Sequence, residues 1–200
     1  MKKYLIIFGT GLLLGIILLL VGRYFLNRTP EQKFGERAAV IRQVQSLNRL
    51  ETASYSVDKI IEAGTGYNKI KEFLVGDRIL LVAHGEVIAG FDLTELTDKS
   101  FSGSGEKIKI SLPAPKILVT RIDNSKTRVF DRDQGVLTKG DLNLEAEARQ
   151  QAESAIQTAA CEGGILDQAT KNAREQLTII FKSAGFTDVT IETPQIGSCK

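Results

Sequence analysis

Residues 163–193, GGILDQATKNAREQLTIIFKSAGFTDVTIET, set the architecture the rest of the chain must fit. Ile165, Leu166, Ala169, Ala173, Leu177, Ile180, Phe181 and Ala184 recur at spacings of three and four, the period of a helix with one buried face. Gly185 followed by Phe186 predicts a glycine-capped stop, and Thr187 to Thr193 reads as a strand. Just upstream, Leu144, Ala148, Ala152, Ala155, Ile156 and Ala159 form an alanine-rich stripe that Gly163-Gly164 ends. Side chains that small favour close packing on a sheet or another helix. The C-terminal third is therefore a helical hairpin and a final strand.

Working back toward the N-terminus, the signal turns to strand. Ser54–Ile61 is one candidate, ended by Gly64-Thr65-Gly66, and Tyr67–Leu74 reads as a short helix. Arg78–Ala83 and Glu86–Ala89 flank His84-Gly85, where glycine would supply the positive φ of a tight hairpin. Lys107–Leu112 alternates cleanly, so one face is buried and one is wet. Leu112-Pro113-Ala114-Pro115 lacks two backbone donors and must be an edge or a crossing between sheets, after which Lys116–Ile122 resumes as strand. Gly103-Ser104-Gly105 reads as a loop. Arg128–Phe130 is a further short strand, with Asp131–Gly135 as the turn that ends it. Strands first, then helices, then one strand predict an α+β domain rather than a parallel βαβ array. Its expected limits are residues 51–193, with 194–200 as a tail.

The N-terminus is of another kind. Leu5 to Gly22 carries no charge, and eighteen residues at 1.5 Å each reach roughly 27 Å, enough for a hydrocarbon core with small adjustment. Tyr4 and Tyr24 stand at its ends with Lys or Arg beyond each, as interfacial anchors do. The run exceeds a signal-peptide core, and Val21-Gly22-Arg23 is a poor cleavage site. The expectation is a cytoplasmic tail (1–3), a single-pass plasma-membrane anchor (4–26), and a linker with a juxtamembrane stalk helix (27–50). Val40, Val44 and Leu47 would share one face of that stalk. Lys2 and Lys3 resemble the start of an export signal, which places the C-terminal domain outside the cytoplasm; Arg23, Arg28 and Lys33 weigh the other way. Gly11 and Gly15 form a G-x-x-x-G pair that lets two membrane helices approach, although a pair this short also arises by chance.

Charge excludes one class of function. The chain has 26 Lys and Arg against 24 Asp and Glu. Setting aside Lys2, Lys3, Arg23 and Arg28 leaves a remainder of about −2, with bases and acids interleaved. That is no footprint for nucleic acid.

Chemistry has few places to reside. His84 is the only histidine, so a His-rich metal site is impossible, and no G-x-S-x-G elbow supplies a nucleophile for a triad built on it. Asp131 and Asp133, ahead of Gly135, have the spacing that opens a calcium loop, but Asp141 and Glu145 stand at the wrong distances to complete it. Asp and Gly also make ordinary turns. No cofactor is expected. Cys161 and Cys199 have a plausible geometry: the helix after Cys161 runs roughly 30 Å away, and the extended chain from Phe186 covers up to about 45 Å on its return. A disulfide and two unrelated thiols are both open readings at this point.

Gly90-Phe91-Asp92-Leu93, Leu112-Pro113-Ala114-Pro115-Lys116-Ile117 and Val129-Phe130-Asp131 with Gly135 form an ordered series. Ala160, Gly164-Ile165-Leu166, Ala169, Ala173, Leu177, Gly185-Phe186 and Val189 extend it. In that order, over roughly residues 50 to 192, the chain resembles the bacterial family catalogued as domain of unknown function 4230. Phe91 stands where an aliphatic residue is expected. The resemblance implies a membrane-anchored domain without an assigned activity and brings no catalytic residues. The expected function is a non-catalytic extracytoplasmic binding or scaffold domain whose partner is another protein or itself. A ligand- or Ca²⁺-sensing envelope module is the alternative.

Overall fold

A computed structural model describes residues 15–21, 23, 31–64, 74–195 and 199. The chain divides into two units, 1–39 and 40–200. In the first, residues 15–21 are helical and exposed. Most of the apolar run that predicts an anchor lies outside the described residues, as do Gly11 and all but Leu74 of the short helix expected at Tyr67–Leu74. No helix among the described residues is long and apolar enough to cross a membrane.

Helix α1, Glu31–Gln45, leads into the second unit. It ends five residues before the stalk's expected limit, because Arg49 already belongs to strand β1 (Arg49–Gly64). Val44 is buried, Val40 and Ile41 pack beside it, and Leu47 is exposed. The predicted face is therefore used only as far as Val44.

The organising element is β2, Asp77–Asp92. It runs straight through His84-Gly85, so the predicted hairpin there is not formed. β1 pairs antiparallel with β2 over its whole length, from Arg49 opposite Asp92 to Gly64 opposite Arg78. The reversal lies beyond Gly64, not at His84. Gly85 has a different task. A Cβ there would lie 2.5 Å from Ile156 Cδ1 and 3.0 Å from the Arg121 carbonyl oxygen, so glycine lets a helix sit directly on the strand.

On its other edge β2 pairs with two strands in succession, β5 (Lys116–Ile122) against Gly85–Gly90 and β6 (Arg128–Gln134) against Asp77–Val82. The interruption between them is bridged by one backbone bond and one side chain. Asp123 N donates to the His84 carbonyl at 2.8 Å, and His84 N donates to Thr127 Oγ1 at 3.2 Å. A second, three-stranded sheet holds β3 (Phe101–Ser104), β4 (Lys107–Ser111) and β7 (Asp188–Glu192); β4 is antiparallel to β3 and parallel to β7. The segment Gly103–Gly105 is thus half strand, and Gly105, at φ 61°, makes the β3–β4 turn. Leu112–Pro115 crosses from one sheet to the other, as two missing donors require.

Helices α2 (Leu144–Glu162) and α3 (Ile165–Ser183) follow across the Gly163–Gly164 turn. Gly164 is left-handed at φ 73°. α3 ends in the predicted Schellman motif: Phe186 N donates to the Phe181 carbonyl and Gly185 N to the Lys182 carbonyl. One core lies between the larger sheet, α2 and the first half of α3; Ile79, Leu81, Val87 and Ile156 are fully buried in it. A second core joins Val44, Phe91, Leu93 and Ile110 to Leu177 and Phe181 of α3. α3 therefore links both cores. The architecture is α+β, with the helices on one face of the larger sheet.

The packing at Gly85 yields a test. Gly85→Ala forces Ile156 and α2 outward and is expected to cost about 1–3 kcal/mol. Combining it with Ile156→Val should recover part of the loss. A melting temperature equal to wild type for Gly85→Ala would contradict the close approach.

Candidate functional site

Alternation along β2 places its even-numbered side chains on the face of the larger sheet that the helices leave open. His84 and Glu86 lie there, as do Ser54, Ser56 and Asp58 of β1 and Arg121 of β5. Ser56, His84, Glu86, Arg121, Asp123 and Lys126 line part of a cavity of about 580 Å³. This gathering of polar and ionisable side chains is the candidate site.

His84 is not at a solvent-facing hairpin tip. It stands mid-strand with its side chain 24% exposed, and its Nδ1 lies 2.7 Å from Asp58 Oδ1 directly across the ladder. Arg121 Nε donates to Glu86 Oε2 at 3.0 Å, and Ser54 Oγ donates to Glu86 Oε1 at 2.8 Å. These two bonds, Ser54's first, hold the Glu86 carboxyl below its usual range. Asp123 accepts from Ser125 N and Oγ in a local turn and is lowered by those contacts, with Lys126 adding to them. The imidazole–carboxylate pair orients a ring, as a general base requires. Among the described residues no hydroxyl hydrogen-bonds to that ring, so no nucleophile is assembled beside it. Glu86 and Asp123 each face a cation and a hydroxyl, and Asp58 faces the imidazole.

Asp131 and Asp133 do not form a turn. They belong to β6, whose extended backbone carries on to Gln134. Asp133 accepts from Arg78 Nη2 at 3.4 Å, and Asp131 stands opposite Leu80. A strand holds successive carboxylates at a fixed pitch instead of curling them around one ion. Among the described residues no three His, Cys, Asp or Glu side chains converge for a metal.

Two carboxylates to which the sequence assigns no role are strongly held. Asp77, buried on the helix side, accepts from Arg132 Nε at 3.1 Å, from Arg132 Nη2 at 2.6 Å and from Asp141 N at 2.6 Å. Arg132's bond is the main reason its pKa is lowered despite burial. Arg132 also donates to the Asp141 carbonyl, so the clamp ties β6 to the loop that starts α2. Asp92 accepts from Lys116 Nζ at 2.8 Å and from Thr94 N at 3.1 Å. Lys116 first, and Thr94 next, bring Asp92 from 3.8 to about 2. Nothing in the residue types marked either one; only the strand register brings the partners together.

Cys161 and Cys199 form a disulfide, with Cα atoms 5.7 Å apart across a separation of 38 residues. Cys199 packs against the first core, so the tail beyond β7 is stapled to the end of α2. Gly15 is described and lies open, with nothing within 4 Å of a Cβ built there; its predicted partner Gly11 is outside the described residues.

Fold and site together define a small α+β domain with an ion-paired open sheet face and a stapled C-terminus. The family model for "Protein of unknown function (DUF4230)" matches residues 42–191, and the chain belongs to that family. No curated protein and no solved structure matches the chain.

Asp92 gives a pH test. Its folded-state pKa is depressed, so the unfolded chain takes the proton first; the stability it contributes is present above about pH 4 and lost as pH falls toward about 2. Asp92→Asn should melt below wild type at pH 6, with the gap narrowing as pH drops to 2. A gap that stays constant over that range would contradict the assignment.

Proposed function

We propose that the protein is a single-pass, membrane-anchored domain that works outside the cytoplasm, without catalysis, by binding another protein or by supporting a complex. The observation that carries this reading is the Cys161–Cys199 disulfide, since such bonds persist in oxidising compartments and are rare in the cytosol. The uncharged run from Leu5 to Gly22, with tyrosines and basic residues at its ends, supports the anchor. The candidate site supports the non-catalytic part. Its one histidine is held by a carboxylate, and its other charges are matched among themselves.

Cys161→Ser tests both location and staple. It leaves Cys199 as a lone thiol, which an impermeant maleimide should label in intact cells. Labelling only after permeabilisation would sink the extracytoplasmic placement. The bridge closes a loop of 38 residues, so the variant should lose about 3–4 kcal/mol at most in denaturant melts. Turnover of a substrate by the purified full-length chain, abolished by His84→Ala, would sink the non-catalytic reading.

A further inference from the structure

The larger sheet has two outer edges, and they differ. On one side β5 and β6 are separated by residues 123–127, and each carries a register shift, opposite Ile88/Ala89 and Leu80/Leu81. That edge is broken and lined with charge, as protected edges are. The other edge belongs to β1, sixteen residues long. It has two protective devices of its own. A register shift between Glu51 and Ala53 bulges the strand at Thr52, whose carbonyl accepts from Asn172 Nδ2 at 2.7 Å. Lys59 points to the helix side and is half-buried. Between them, Ala53 to Asp58 carries no such device among the described residues.

The direction of the backbone groups in that stretch follows from His84. Its N–H donates toward Thr127 and its carbonyl accepts from Asp123, so both groups face β5 and β6. His84 and Asp58 are therefore a non-hydrogen-bonded pair, and the N–H and C=O of Asp58 point away from β2. Alternation then turns the backbone groups of Ser56 and Ser54 the same way. Among the described residues no backbone hydrogen bond from outside the β1–β2 ladder reaches any of the three. Beside them lies a cavity of about 410 Å³ between the strand and the first turns of α3, lined by Ala53, Tyr55, Gly164, Ile165, Gln168 and Lys171. A Cβ on Gly163 would stand 3.1 Å from the Tyr55 ring.

We infer that Ala53–Asp58 is a β-addition site for an extended segment of a partner protein, a claim that rests on the binding-domain reading above and names its surface. Three donors and three acceptors at strand spacing are complementary to an extended backbone. On the open face the incoming strand meets Ser54, Ser56 and Asp58, which suits lysine, arginine or threonine. On the other face it meets Tyr55, Val57 and the cavity, which suits β-branched or aromatic residues. α3 walls the cavity, which favours one bare strand over the edge of a second whole domain.

The test selects a phage-displayed library of random octapeptides on the full-length chain in mild detergent, with Ser56→Pro in parallel. Ser56 gives nothing to the β1–β2 ladder, so proline there should leave the melting temperature near wild type while removing the central donor. Peptides enriched on wild type should alternate as described, bind Ser56→Pro at least about tenfold more weakly by fluorescence anisotropy, and lose binding when their alternate backbone nitrogens are methylated. If Ser56→Pro does not fold, the methylated peptides on wild type decide. No enrichment, or equal binding of methylated peptides or of Ser56→Pro, overturns the proposal. A wild-type dimer that Ser56→Pro dissociates assigns the edge to a second copy and overturns it as well. A substrate turned over elsewhere would sink the non-catalytic reading and leave the edge result standing.

Discussion

Every strand of the larger sheet is registered against β2, which pairs with β1 along one edge and with β5 and β6 along the other. Its odd-numbered residues from Asp77 to Phe91 are all buried, and several of them take the helices directly. That contact requires Gly85, because Ile156 occupies the space a side chain would need. Each fully buried aliphatic residue on this face contributes about 1.5–3 kcal/mol, so the alternation of one strand carries much of the first core. A one-residue slip would turn those side chains outward and set His84 and Glu86 against the helices.

The charged groups complement that apolar constraint without replacing it. Asp77 is the one acid on the buried side of β2, and it is tolerated because Arg132 and the Asp141 amide satisfy it. On the open side, pairs such as His84–Asp58 and Arg121–Glu86 keep a partly apolar sheet face wet, as an uncovered face must be. Exposed pairs of this sort contribute little stability.

Much of the fold was legible in local patterns. The periodicity of α3, its Gly185 stop, the alternation at Lys107–Leu112 and the two prolines between the sheets each pointed to the element observed. At His84-Gly85 and Asp131–Gly135 glycine and aspartate favour turns locally, and in both places cross-strand pairing overrides that preference. The candidate site was less legible still, since Asp58 and Asp77 acquire partners 26 and 55 residues away.

By itself the sequence determined the α+β class, the glycine-capped helices and the apolar N-terminal run, because each depends on neighbours a few residues apart. It also allowed the Cys161–Cys199 bridge without choosing it. Tertiary structure decided that β2 is a single strand, that Gly85 serves helix packing, that β7 runs parallel to β4, and that one edge of β1 has no strand partner among the described residues. These depend on register between distant segments, and residues far apart in the chain leave no periodic trace of which of them will meet.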